Sequence, residues 1–347
     1  MGDVLKVGSP IRVADIVIAL ILIVVSIFGT FWNTIAFVFF SQKFVKDNNL
    51  RDKNKVYFRF IYITICTTDL IICGSVLPVI DAMIEDPGYP YFRIPVMFGN
   101  TVFCNLWGVL WEILPSFSVF LVGVLSLSRL ILLVKPHFRF RLRTLCVAMA
   151  AYSIIILASK IALLATTDVM RYEPMLRYCF IISHRGMEFR DQEIMTVAVM
   201  ISHLALPVIP VFLCFICSLI LLLGPKYRAA HCKHAHIAQG KAASTVIIIT
   251  IVYIIFNIPI IINNAFFLHG LSSQPNAKFV DLYDNVWKFY YTWPLTYIVN
   301  VAINSMINPL IYYFRMEIFK SFIDRGLRSM KIKASNRIRD NNLIVMI

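Results

Sequence analysis

The sequence predicts an all-α membrane protein: a seven-transmembrane helix bundle followed by an amphipathic eighth helix at the inner membrane surface. Three observations predict it. The chain is 59% hydrophobic and 15% charged, with mean hydropathy +0.76, whereas soluble domains carry roughly 25% charged residues. The apolar residues fall in seven long runs, at about 14–42, 58–84, 101–134, 144–167, 194–223, 242–268 and 289–314, and a run above about 18 residues crosses a bilayer. The basic residues concentrate in alternate connections between those runs, as the positive-inside tendency requires.

Each element can be justified in chain order. Residues 1–13 read as a short extracellular N-terminus, 14–314 as the bundle, 315–328 as the surface helix and 329–347 as a cytoplasmic tail. The first apolar run is too long for a signal-peptide core and lacks a small-residue cleavage site, so it reads as a retained span. With the N-terminus outside, the inner segments hold Lys43, Lys46, Arg51, Lys53, Lys55 and Arg59, then Lys135, Arg139, Arg141 and Arg143. Lys226, Arg228, Lys233 and Lys241 follow, and then a basic tail from Arg315 to Arg339. The outer segments carry fewer bases and more acids, among them Asp168, Glu173, Glu188, Asp191 and Glu193. The expected location is therefore the plasma membrane, multi-pass, with the C-terminus in the cytoplasm. The formal charge of +14 faces anionic lipid headgroups in this arrangement, and no nucleic acid is needed to explain it. After the last span, Ile318, Phe319, Phe322 and Ile323 alternate with Lys320, Asp324, Arg325 and Arg328, the pattern of a helix lying in a membrane interface. No internal repeat is visible, which disfavours transporter folds built from duplicated halves.

Eight cysteines without a CxxC pair form no metal or redox framework. Cys66, Cys73, Cys214 and Cys217 sit inside apolar runs and read as packing residues, whereas Cys104 and Cys179 fall at expected outer edges, where oxidation is possible. Polar groups inside spans are costly and carry a functional expectation by default. Here they are Asn33, Asp69, Ser118, Arg129, Asn304, Ser305 and Asn308. In the third run Cys104, Gly108, Trp111, Pro115, Ser118, Val122, Leu125 and Arg129 recur at three- and four-residue steps, which places them on one helix face with Arg129 at its foot.

Those residues carry a resemblance to the rhodopsin-like G-protein-coupled receptors over nearly the whole chain. Asn308-Pro309-Leu310-Ile311-Tyr312 resembles the family's NPxxY signature, with Phe319 following at the right distance in an eighth helix. Asn33, Asp69, a cysteine 25 residues before Arg129, Pro136 seven residues after it, and the prolines Pro207 and Pro259 agree in order and spacing. The resemblance implies a receptor that binds an extracellular ligand and catalyses nucleotide exchange on a heterotrimeric G protein, and not an enzyme. It implies a disulfide between Cys104 and Cys179, and an allosteric sodium ion held by Asp69, Ser118, Asn304, Ser305 and Asn308, with no other cofactor. Oxygen donors around a carboxylate suit such a cation, although the same cluster could simply join helices by hydrogen bonds. Arg129 and Tyr312 resemble the pair that rearranges when a G protein enters.

Departures from the family pattern are as specific as the matches. Ser128 stands where the family usually places an acid before the arginine, Leu130 where a tyrosine follows it, and Gln239 near the usual acid at the foot of helix six. Losing both carboxylate partners of Arg129 is expected to bias a two-state switch toward ligand-independent signalling. Asn257 replaces the usual tryptophan before Pro259, Tyr253 a phenylalanine and Phe215 a tyrosine, and helix four shows no evident tryptophan between Val147 and Thr166. Expected ligand contacts are Trp107, Trp111, Glu112, His203, Asn263, Asn264 and Trp293. Trp111 occupies the position where amine receptors of the family place an acid, which disfavours a monoamine, and Ala302 replaces the lysine that retinal requires, which excludes an opsin. The short N-terminus argues against a hormone-binding ectodomain. A peptide or small molecule remains, its class open, with a channel or transporter using Asp69 and Glu112, or a non-signalling scaffold, as the alternatives. The His231-Cys232-Lys233-His234-Ala235-His236 run matches no standard metal spacing and reads as a solvated basic loop.

Overall fold

The computed structural model describes residues 8–49, 53–80, 101–135, 137–166, 170–173, 178–181, 293–316 and 319–326, with isolated helical positions in 212–219, 247–256 and at 328. Five long helices stand among the described residues: α1 (Gly8–Asn49), α2 (Lys53–Gly74), α3 (Thr101–Val134), α4 (Leu142–Thr166) and α5 (Trp293–Arg315). They correspond to the first four spans and the seventh. Three described stretches, Ile16–Asn48, Lys53–Ile80 and Leu106–Arg129, are long and apolar enough to cross a membrane.

The helices outrun the apolar runs that announce them. At about 1.5 Å per residue, the 42 residues of α1 reach about 63 Å, twice the ~30 Å hydrocarbon core. The helix therefore begins at Gly8, ahead of the expected boundary at 14, and continues through the basic stretch to Asn49. Pro10 is compatible with this start because a first-turn residue donates no intrahelical bond. Likewise α2 begins at Lys53, five residues before its apolar run. Lipid supplies the partner for the uncovered sides, where α1 exposes Ile16, Leu20, Val24, Ile27, Phe28 and Phe31, and α4 exposes Val147, Ile154, Ile155 and Leu157.

α1 packs along α2 and against α5, α2 packs on α3, and α3 on α4. The α1–α2 seam is close because Gly29 has no side chain: a Cβ there would overlap the Cys73 thiol and sit 3.4 Å from Met306 Cβ on α5. Small residues allow this approach in a membrane, where dispersion contacts between backbones replace the hydrophobic drive. Cys73 and Cys66 are fully buried, as the packing reading expects. Tyr152 supplies the aromatic contact of α4 in the absence of a tryptophan, stacking on Phe120 at 4.0 Å and 9° and donating its hydroxyl to the Ser116 carbonyl at 3.3 Å.

Two additions qualify the expected architecture. Between the fourth and fifth spans the chain forms an antiparallel hairpin, β1 (Met170–Glu173) with β2 (Tyr178–Ile181), in which Tyr172 pairs with Cys179. The hairpin lies beside α3. Beyond α5, residues 319–326 are helical and amphipathic as expected, with Phe319 and Ile323 buried and Lys320 and Arg325 exposed.

Candidate functional site

The candidate site runs along α3 and has a polar centre between two apolar clusters. One cluster joins Leu22, Val25, Ile72, Val76, Trp107, Trp111, Ile298 and Ala302. The other joins Phe39, Phe40, Tyr62, Ile65, Leu121, Leu125, Tyr312 and Phe319.

At the centre, Asp69 on α2 is wholly buried. Ser118 of α3 donates to its Oδ1 at 3.0 Å, and Asn308 of α5 donates to its Oδ2 at 2.8 Å. Ser305 is a further hydrogen-bonding neighbour of the same carboxyl. Asn33 ties α1 into the group, its Nδ2 donating to Gly29 O at 2.9 Å and Ser305 O at 3.1 Å. Three helices thus meet at one carboxyl, and α1 joins them through the Ser305 backbone. Asn33 Oδ1 is buried without a described partner. Asn304 is half-buried and takes part in none of the described bonds. The donor set fits a hard cation, because the carboxylate and the hydroxyls of Ser118 and Ser305 are oxygen ligands and only neutral groups are described facing the carboxyl. A buried carboxylate opposed only by neutral donors is costly, and a cation bound there would balance it.

Two turns along α2, the Arg129 end is built from aromatic rings. Arg129 Nη2 donates to the Tyr62 hydroxyl at 2.8 Å, and its guanidinium carbon lies 5.0 Å from the Phe58 ring centre, within cation–π range. The neighbouring Ser128 Oγ shares a 3.0 Å hydrogen bond with the Tyr57 hydroxyl. Tyr62 then packs edge-on against Tyr312 at 5.1 Å and stacks on Phe40 at 4.7 Å and 15°. The two expected switch residues therefore lie on either side of a third, Tyr62, which sequence reading missed. The available signal was the spacing of Tyr57, Phe58, Ile61, Tyr62 and Ile65, one helix face ending a turn before Asp69.

Two further contacts hold this end in place. Asn54 grips the connection between α3 and α4, donating to Phe138 O at 2.9 Å and accepting from Phe140 N at 3.0 Å, while Tyr57 stacks on Phe140 at 4.6 Å. Arg59 pairs with Asp47 at 3.3 Å and lies over the Phe39 and Phe40 rings at 5.8 and 5.7 Å. The extended ends of α1 and α2 provide these residues.

At the opposite end, α2 breaks at Gly74 because Pro78 has no N–H for the Gly74 carbonyl. Past the break, the Val79 N–H bonds to Val76 O at 3.0 Å in place of Ser75 O four residues back. The Ser75 carbonyl is released and accepts both the Trp107 indole N–H at 2.8 Å and the Trp111 indole N–H at 3.4 Å. The tryptophans are 3% and 5% exposed and pack on each other at 5.4 Å. The indole N–H groups of these two expected ligand contacts thus cap the α2 break, and their rings pack against each other.

The remaining expected sites lie outside the described residues: His203, Asn263, Asn264, the His231–His236 run, Gln239, Tyr253 and Asn257. Cys104 and Glu112 fall on α3, Cys179 on β2 and Trp293 at the start of α5, but their side chains also lie outside the described part.

Comparison with known proteins bears on this arrangement. The family described as 7 transmembrane receptor (rhodopsin family) matches residues 92–312, well over half of the chain. No curated protein matches the sequence.

Proposed function

Because the chain belongs to the rhodopsin family of seven-transmembrane receptors, a multi-pass membrane protein family of signalling receptors, we propose that it binds an extracellular ligand and activates a heterotrimeric G protein through its Arg129 end. The observation that carries this reading is the continuous path along one face of α3, from the Trp107–Trp111 pair past Ser118 and Asp69 to Arg129, Tyr62 and Tyr312. A ligand at one end and a G protein at the other would bias the same packed elements, which is what coupling between two sites requires.

In this reading the N-terminus is extracellular, Arg129 faces the cytoplasm at the plasma membrane, and Cys104 and Cys179 form a disulfide; the hairpin beside α3 supports that pairing. The ligand is a peptide or small molecule, neither a monoamine nor retinal, with Trp107, Trp111, Glu112, His203, Asn263, Asn264 and Trp293 as its contacts. A sodium ion at Asp69, Ser118, Ser305, Asn304 and Asn308 would balance the buried carboxylate and hold the helices in their resting arrangement.

The test is G-protein dissociation in cells, measured per receptor at the surface. Arg129→Ala at matched surface expression is expected to lower signalling by at least about 10-fold, since a charge-assisted contact to the G protein is lost. Undiminished signalling by Arg129→Ala would overturn this reading, and ion flux under voltage clamp would favour a channel.

A further inference from the structure

We propose that Tyr62 is the positioning residue of Arg129, a neutral phenolic restraint that stands in for the acids the family pattern places at position 128 and near 239, and that it couples Arg129 to Tyr312. The proposal rests on the receptor reading above.

The geometry leaves the Tyr62 hydroxyl little choice of partner. Its ring is 2% exposed, stacked on Phe40 and edge-on to Tyr312, so the side chain is held in one rotamer and its oxygen meets the Arg129 guanidinium at 2.8 Å. Arg129 donates and Tyr62 accepts. A hydrogen bond with one ionised member is about twice as strong as a neutral one, and Phe58 adds a second contact on the same guanidinium. Arg129 is only half-buried, so a free guanidinium would sample other rotamers. Here the phenol and the Phe58 ring direct it back toward α2.

Because one ring touches both switch residues, moving either disturbs the other. Displacing Tyr312 removes the edge contact that orients Tyr62, and turning Arg129 toward an entering G protein breaks its bond to the hydroxyl. The backing is aromatic throughout: Phe40 also meets Tyr312 at 5.7 Å and Phe319 at 5.9 Å, so the helix at 319–326 supports the same restraint. A phenol carries no charge. It holds the arginine without burying an ion pair, and release requires no carboxylate to be stranded.

The experiment compares ligand-independent G-protein dissociation of the wild-type chain, Tyr62→Phe, and a chain carrying p-methoxyphenylalanine at 62, all at matched surface expression. Tyr62→Phe keeps the ring and its packing and deletes only the acceptor oxygen. Basal signalling is expected to rise about 5-fold or more, because the lost bond favours the released arginine. The methoxy variant restores an acceptor oxygen and is expected to return the signal to within about 2-fold of wild type. A merely structural tyrosine would lower surface expression or thermal stability in Tyr62→Phe without raising the signal per receptor. Equal basal signalling in wild type and Tyr62→Phe overturns the restraint and leaves the receptor reading standing, as does failure of the methoxy variant to lower the raised signal. Silence of wild type and Tyr62→Phe alike with every class of G protein overturns the receptor reading itself.

Discussion

The two ends of the bundle solve the same packing problem with different materials. The Trp107 end is mostly aliphatic, with Leu22, Val25, Ile72, Val76 and Ile298 around one tryptophan pair, and its polar atoms serve to repair a helix break. The Arg129 end is aromatic, with Phe39, Phe40, Tyr57, Tyr62, Tyr312 and Phe319, and one of its hydroxyls, that of Tyr62, meets a cation. Aliphatic side chains interlock and resist rearrangement only through close packing. Aromatic rings add oriented stacking and edge contacts worth roughly 0.5–1.5 kcal/mol each and present faces to arginine. A region that must hold a charge in one arrangement and release it in another is better served by the second kind.

This contrast can be broken by measurement, and the largest effect is expected at Phe40. Phe40→Ala removes a fully buried ring that touches Tyr62, Tyr312, Phe319 and Arg59. A loss of about 3–5 kcal/mol is expected, read as a fall in thermal midpoint of the purified chain. Leu22→Ala at the other end is expected to cost about 2–3 kcal/mol; a loss there as large as that of Phe40→Ala would erase the distinction.

The polar centre divides the two regions, and its response to salt sharpens the comparison. If the centre holds sodium, replacing N-methylglucamine chloride by sodium chloride is expected to raise the midpoint by about 2–3 kcal/mol equivalent at 100-fold saturation. Asp69→Asn is expected to abolish that rise, because the compensating carboxylate is gone. A sodium-dependent rise that survives Asp69→Asn would place the cation elsewhere.

The smallest effect belongs to the α2 break. Trp107→Phe keeps most of the buried ring but deprives the Ser75 carbonyl of its shorter bond, and about 1–2 kcal/mol is expected to be lost. G-protein dissociation per receptor is expected to stay near wild type. A change in basal signalling as large as that of Tyr62→Phe would show that the two ends are not functionally distinct.

Much of this was legible beforehand, for identifiable reasons. Asp69, Ser118 and Asn308 stood out because a polar side chain in an apolar run has few explanations, and all three do meet. Arg129 and Tyr312 stood out by motif. The capping role of Trp107 and Trp111 was not legible, because the use of an indole N–H depends on a carbonyl freed at the α2 break, on another helix. Tyr62 was overlooked because tyrosine in a span is common and attracts no attention until its neighbours are known. The boundaries of α1 and α2 were underestimated because apolar runs report lipid contact, whereas helices continue into water when their ends find partners such as Asp47 with Arg59.

By itself the sequence determined the class, the count of the spans and the positions of the buried polar groups, since hydropathy and helical periodicity are properties of the chain alone. Only the tertiary structure decided which partners those groups take. That Arg129 is held by a phenol instead of a carboxylate follows from how α2 and α3 face each other, and no spacing along either helix encodes a contact 67 residues away.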